Sequence, residues 1–159
     1  MAEFPLGLYG TYEDNAAGAV NQSSWALGAP LRTMNNPLEA IRAVIAVDWL
    51  ADELVVDPRW IVISPLTKQH MRQARMDVRR VLGISIDAPS ASVMDALLST
   101  AWGLEQGARP DDIGAFKNSP FALPPQQTFN RLSNLPYIAT ANIATSEAAT
   151  QIPTNGRRS

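Results

Sequence analysis

The sequence predicts an α+β fold dominated by helices: a small core of about three helices with one or two short strands over residues 37–117, flanked by an extended N-terminal arm (1–36) and an extended C-terminal arm (118–159). Three observations carry this. Charge and helical periodicity concentrate in the middle of the chain, whereas residues 1–36 and 118–159 carry only four charged side chains each. Both flanks are punctuated by Gly or Pro and hold isolated large apolar residues without sustained period, among them Phe4, Leu8, Tyr9, Tyr12 and Trp25 on one side and Phe121, Phe129 and Tyr137 on the other. Disordered tails are normally rich in charge and poor in aromatics, so these eight residues read as anchors that hold the arms on an apolar surface. The third observation is a pair of short β-branched runs, Trp60-Ile61-Val62-Ile63 and Ile84-Ser85-Ile86, lying between helical segments.

The core elements follow in order. Asn36 can cap a first helix, with Pro37 at its first position and Glu39 three residues after the cap, an arrangement that satisfies amide donors otherwise left without partners. This helix should run to about Leu50 or Glu53. It is apolar on almost every side (Leu38, Ile41, Val44, Ile45, Val47, Trp49, Leu50, Leu54), so it must be covered on more than one face. Asp57-Pro58 breaks the chain before the first strand. Ser64-Pro65 starts a second helix, closed near Leu82 by Gly83. A second short strand at 84–86 would complete a right-handed strand-helix-strand crossover if the two strands pair in parallel. After the turn Asp87-Ala88-Pro89-Ser90, a third helix over about 91–106 shows Val93, Leu97, Ala101 and Leu104 on one face, with Gly107 as its stop.

Composition narrows the function. At 159 residues, with 46% hydrophobic and 18% charged, the chain is sized for one ordinary domain. A formal net charge of −2 argues against a general nucleic-acid coat, so any basic surface must be local. The absence of cysteine excludes disulfides and thiolate metal sites. The opening residues lack the basic start and apolar stretch of a secretory signal, and no run reaches the length of a membrane span. The expected location is therefore intracellular, and Asn21-Gln22-Ser23 reads as an exposed loop rather than a glycosylated one.

Four side chains of the second helix, Lys68, Arg72, Arg75 and Arg79, are spaced four, three and four apart, which places them on one stripe about 60° wide. Such a stripe can grip phosphates or an acidic partner. Its bland alternative is a boundary row whose stems cover the core while the heads reach solvent or carboxylates of the same chain. No aromatic interleaves with it, so the stacking signature of single-strand binders is missing and nucleic acid is not favoured. The first helix offers internal counterparts in Asp48 and Asp52, which project near Ile41 and Ile45 and need partners there. Those two acids would serve a small hydrolase only if one were kept protonated and the other ionised. Asp111-Asp112 after Pro110 suits the start of a short helix better than a magnesium site, and His70 is a lone histidine without a second ligand. The nucleotide-binding glycine motifs and the nucleophile elbow are absent from the sequence. No catalytic residue, metal site or cofactor is expected.

The run from Asn36 to about Met71, and within it Pro58, Arg59, Trp60 to Ile63, Ser64 and Pro65, resembles a segment of tailed-phage major capsid proteins, in which a helix leads through a proline-containing turn into an apolar strand that ends in Ser-Pro or Asn-Pro. The resemblance covers about a fifth of the chain; the family's long spine helix and extended loop have no counterpart. It implies a non-catalytic virion subunit, assembled in a host cytoplasm and bound to copies of itself or to other particle subunits, not to a membrane. In that reading the arms dock on neighbours by strand addition and the basic stripe sets register.

Overall fold

The computed structural model describes residues 8, 9, 14–117 and 120–152. Among them are seven α-helices: α1 (Asn15–Ala26), α2 (Pro37–Val56), α3 (Pro65–Leu82), α4 (Ser90–Glu105), α5 (Gly114–Lys117), α6 (Pro125–Ser133) and α7 (Ala139–Gln151). Short 3₁₀ turns occupy Pro30–Arg32, Pro58–Val62 and Pro110–Asp112. Helices dominate, and no strand forms among the described residues beyond one isolated antiparallel bridge, Ile84 to Phe121.

The centre is α2. Asn36 caps it by accepting from the Glu39 amide at 3.2 Å, with Pro37 in the first turn. Every residue from Ala43 to Ala51 is buried, Asp48 included. Cover comes from α1, α3, α4 and α6 around it, while α7 closes the bundle against α1 and α3. Ser64 caps α3 through its hydroxyl, which accepts from the Thr67 amide at 3.1 Å. Gly83 ends α3 with φ 68°, and a Cβ there would lie 2.4 Å from Leu123 Cγ, so both backbone and space require glycine.

Two expectations are corrected. Trp60-Ile61-Val62-Ile63 is not a strand: Pro58–Val62 is a 3₁₀ turn, and Ile63 follows it. Asp57 seeds the turn, its side chain accepting from the Arg59 amide at 3.1 Å and its carbonyl from the Trp60 amide at 3.1 Å. With no neighbouring strand among the described residues to supply a ladder, the backbone groups close local bonds instead, Ile63 donating to the Trp60 carbonyl at 3.0 Å. Among the described residues Ile84 pairs only with Phe121, through Ser85 donating to the Pro120 carbonyl (3.0 Å) and Ala122 to that of Gly83 (2.8 Å). The crossover therefore does not form.

The flanks are the second correction, because their described parts are helices packed in the same core, not extended arms. Small residues explain this. Ala16, Ala17, Gly18 and Ala19 of α1, and Ala141, Ala144 and Ala148 of α7, are buried and let these helices approach their neighbours closely. Alanine is also the best helix former, so low charge and few large apolar residues here mark close helix packing. Of the eight anchors, Phe4 and Tyr12 lie outside the described residues. Tyr9 and Phe121 are buried, Leu8 and Phe129 partly so. Trp25 and Tyr137 are about half exposed, at 49% and 52%. Asn21, in the formal glycosylation triplet, sits inside α1 and donates to the Ala17 carbonyl at 2.8 Å.

Candidate interaction site

The stripe on α3 runs antiparallel to α2 and changes character along its length. At its buried end the Arg79 guanidinium makes a two-point contact with Asp48, Nη2 to Oδ1 at 2.7 Å and Nε to Oδ2 at 3.1 Å. Its Nη1 donates to the carbonyls of Ser85 (3.2 Å), Ile86 (3.0 Å) and Ala88 (2.7 Å). Asp48 also accepts from the Ser90 hydroxyl at 2.7 Å. Both members of the pair are 2% exposed, and each polar group of the guanidinium has found an acceptor, which is what a buried charge requires.

One turn along, Arg75 Nη1 meets Asp52 Oδ1 at 2.9 Å and donates to the Ser90 hydroxyl at 3.0 Å. The structure thus brings four of the singled-out residues together as two ion pairs. Lys68 and Arg72, nearer the start of α3, have no ion-pair or hydrogen-bond partner among the described residues; Arg72 is exposed and Lys68 partly so.

This arrangement does not suit acid–base hydrolysis at Asp48 and Asp52. A general acid must present its proton to a substrate across a cleft, whereas both carboxylates are turned to guanidinium groups between helices. A cleft of about 400 Å³ opens on an adjoining face of α2, lined by Asp14, Asn15, Ala16, Trp49, Glu53, Asp57 and Arg59. Within it Glu53 Oε2 accepts from the Trp60 indole at 2.8 Å, and Arg59 bridges Asp14 (2.6 Å) while lying 4.1 Å from the centre of the Trp60 ring. These contacts tie the Pro58–Val62 turn to α1 and α2.

His70 Nδ1 stands 2.6 Å from Glu147 Oε1, joining α3 to α7 beside Thr67 and Gln151, whose side chains are hydrogen-bonded at 2.9 Å. Asp111 and Asp112 are exposed in their 3₁₀ turn. Among the described residues, no group of three or more His, Cys, Asp or Glu side chains is placed to hold a metal ion, and no helix is long and apolar enough to cross a membrane.

The feature sequence reasoning missed is an apolar corner where α2 passes through the Pro58–Val62 turn into α3. Val55 (48% exposed), Val56 (64%), Ile61 (83%), Val62 (57%) and Leu66 (56%) all stand in solvent there. Single exposed apolar residues are ordinary, but five large ones within the twelve residues from Val55 to Leu66 are not. The signal was the apolar run itself, read as a buried strand. Trp60 and Ile63 do turn inward; Ile61 and Val62 between them do not.

No protein-family model matches the chain, and neither does any curated protein or solved structure.

Proposed function

We propose that the chain is a non-catalytic structural subunit of a multi-subunit particle, docking through the apolar corner at Val55, Val56, Ile61, Val62 and Leu66. That corner is the observation that carries the reading. Covering five exposed aliphatic side chains yields roughly 25 cal/mol per Å² of apolar area removed from water, and patches of this kind mark surfaces that meet other proteins. The particle class that the resemblance over residues 36–71 implies is a bacteriophage virion, assembled in a host cytoplasm. The turn conformation of Pro58–Val62 removes the strand on which a finer likeness to the capsid fold rested, so the proposal is of a virion subunit and not of that fold. Since α1, α6 and α7 belong to the core, the docking surface lies on the α2–α3 corner rather than on extended arms.

Two features weigh against the alternative of an accessory protein that grips nucleic acid with the α3 stripe. Arg75 and Arg79 are engaged by Asp52 and Asp48, and the chain carries net charge −2. Two free cations without stacking aromatics are a weak hold on a polyanion.

Light scattering on the purified chain across a concentration series tests the proposal, with the double variant Ile61→Ser, Val62→Ser alongside. The expected result is a defined species larger than one chain for the natural sequence and a shift toward monomer for the variant, with helical circular dichroism unchanged. A natural chain that stays monomeric throughout the series would overturn the reading as a self-assembling subunit.

A further inference from the structure

The two ion pairs set a register that identifies what the corner lacks. Asp48 faces Arg79 and Asp52 faces Arg75, a step of four residues along each antiparallel helix. A further turn along, α2 offers Val55 and Val56 where α3 offers Arg72, with Lys68 beyond. The third rung thus has its cation and no carboxylate, beside aliphatic side chains left in solvent. An occupant must bring both an apolar body and negative charge.

The outer face of α4 carries that combination. Trp102 is 67% exposed, and Asp95 and Glu105 stand seven residues before it and three after it on the same side of the helix. Both acids are exposed and have no ion-pair partner among the described residues. Tryptophan with an acid on either side along one helix face is the composition of an interface anchor: the indole supplies area, and the charges fix partner and register.

We propose, on the basis of the assembly reading above, that the occupant of the corner is the Trp102 face of a second copy of this chain, with Lys68 and Arg72 of one copy paired to Asp95 and Glu105 of the next. Cationic apolar corner and acidic aromatic face lie on different helices of one molecule. The contact is therefore heterologous: each copy has one half to give and one to receive.

The experiment uses two full-length variants, Ile61→Asp, which places a carboxylate where the acidic face must land, and Trp102→Arg, which places a cation where the basic corner must land. Each alone is expected to be monomeric by light scattering. Mixed in equal amounts they are expected to give a dimer and nothing larger, because the intact Trp102 face of the first variant fits the intact corner of the second. Raising the salt concentration should weaken that dimer by screening its ion pairs. Ile61→Ser and Trp102→Ser repeat the comparison should a charge disturb the helical circular dichroism.

If Trp102→Arg associates like the natural chain while Ile61→Asp does not, the corner meets some other surface; this inference falls and the assembly reading stands. If the natural chain is monomeric throughout, both fall.

Discussion

At the scale of single residues, burial separates ion pairs that look alike in sequence. Asp48–Arg79 is buried, so Asp48→Ala leaves a guanidinium in the core with part of its acceptor set gone; a loss of about 3–5 kcal/mol is expected. Arg75→Gln breaks a pair whose side chains are 21% and 37% exposed, where solvent screens much of the attraction, and should cost under about 1 kcal/mol. Urea denaturation of both variants checks the contrast, and equal losses would contradict it. Tyr9 supplies a pH-dependent counterpart. Its hydroxyl donates to the Arg42 carbonyl at 2.7 Å, and burial pushes the phenol well above its usual value, the Arg42 charge pulling weakly the other way. Below about pH 10 the phenol is protonated in folded and unfolded chains alike; above it the unfolded chain ionises first, so stability is lost as pH rises. Tyr9→Phe should cost about 1 kcal/mol at pH 7. That deficit should shrink or reverse by pH 11 in denaturation curves, and a constant deficit would place the phenol in contact with solvent. Sequence had singled out Tyr9 as an arm anchor. Its want of burial was legible, but the carbonyl 33 residues away that accepts its hydrogen bond was not.

At the scale of elements, terminators and caps were the most readable parts of the sequence, since each acts on its own neighbourhood. Asn36, Ser64 and Gly83 perform the roles their residue types suggest. Gly83 and Gly107 share a positive φ, 68° and 82°, yet differ in what surrounds them. Gly107→Ala has nothing within 4 Å of its new Cβ and should lose only about 1 kcal/mol of stability, to backbone strain. Gly83→Ala meets Leu123 as well and should lose clearly more, measurable as a larger fall in thermal midpoint; a smaller fall would mean that Leu123 yields freely. What sequence misassigned were elements defined by partners. The run 60–63 has strand composition, but strands exist only in ladders, and Asp57-Pro58 offered a turn at once. In α1 and α7, alanine and small polar residues give little amphipathic contrast, so helices whose packing depends on close approach read as irregular arms.

Across the whole molecule, the dominance of helices and the need to cover α2 on several sides were both visible in its sequence, while the source of that cover was not, because contacts such as Ser64 with Gln151 join residues far apart in the chain. The candidate site was half legible: the four cations could be aligned from their spacing alone, but which of them lie next to carboxylates depended on the register of α2 against α3. One feature of that register reaches beyond stability. Arg79 holds three carbonyls of the α3–α4 connection, and Ser90, the first residue of α4, is bonded to both Asp48 and Arg75. Together these bonds weld α4 to α2 and α3 at a set angle, and so set the direction of any surface on α4 relative to one on the α2–α3 corner. A row of copies joined through two such surfaces would bend by the same amount at every joint, and its radius of curvature would be set in part by one buried guanidinium.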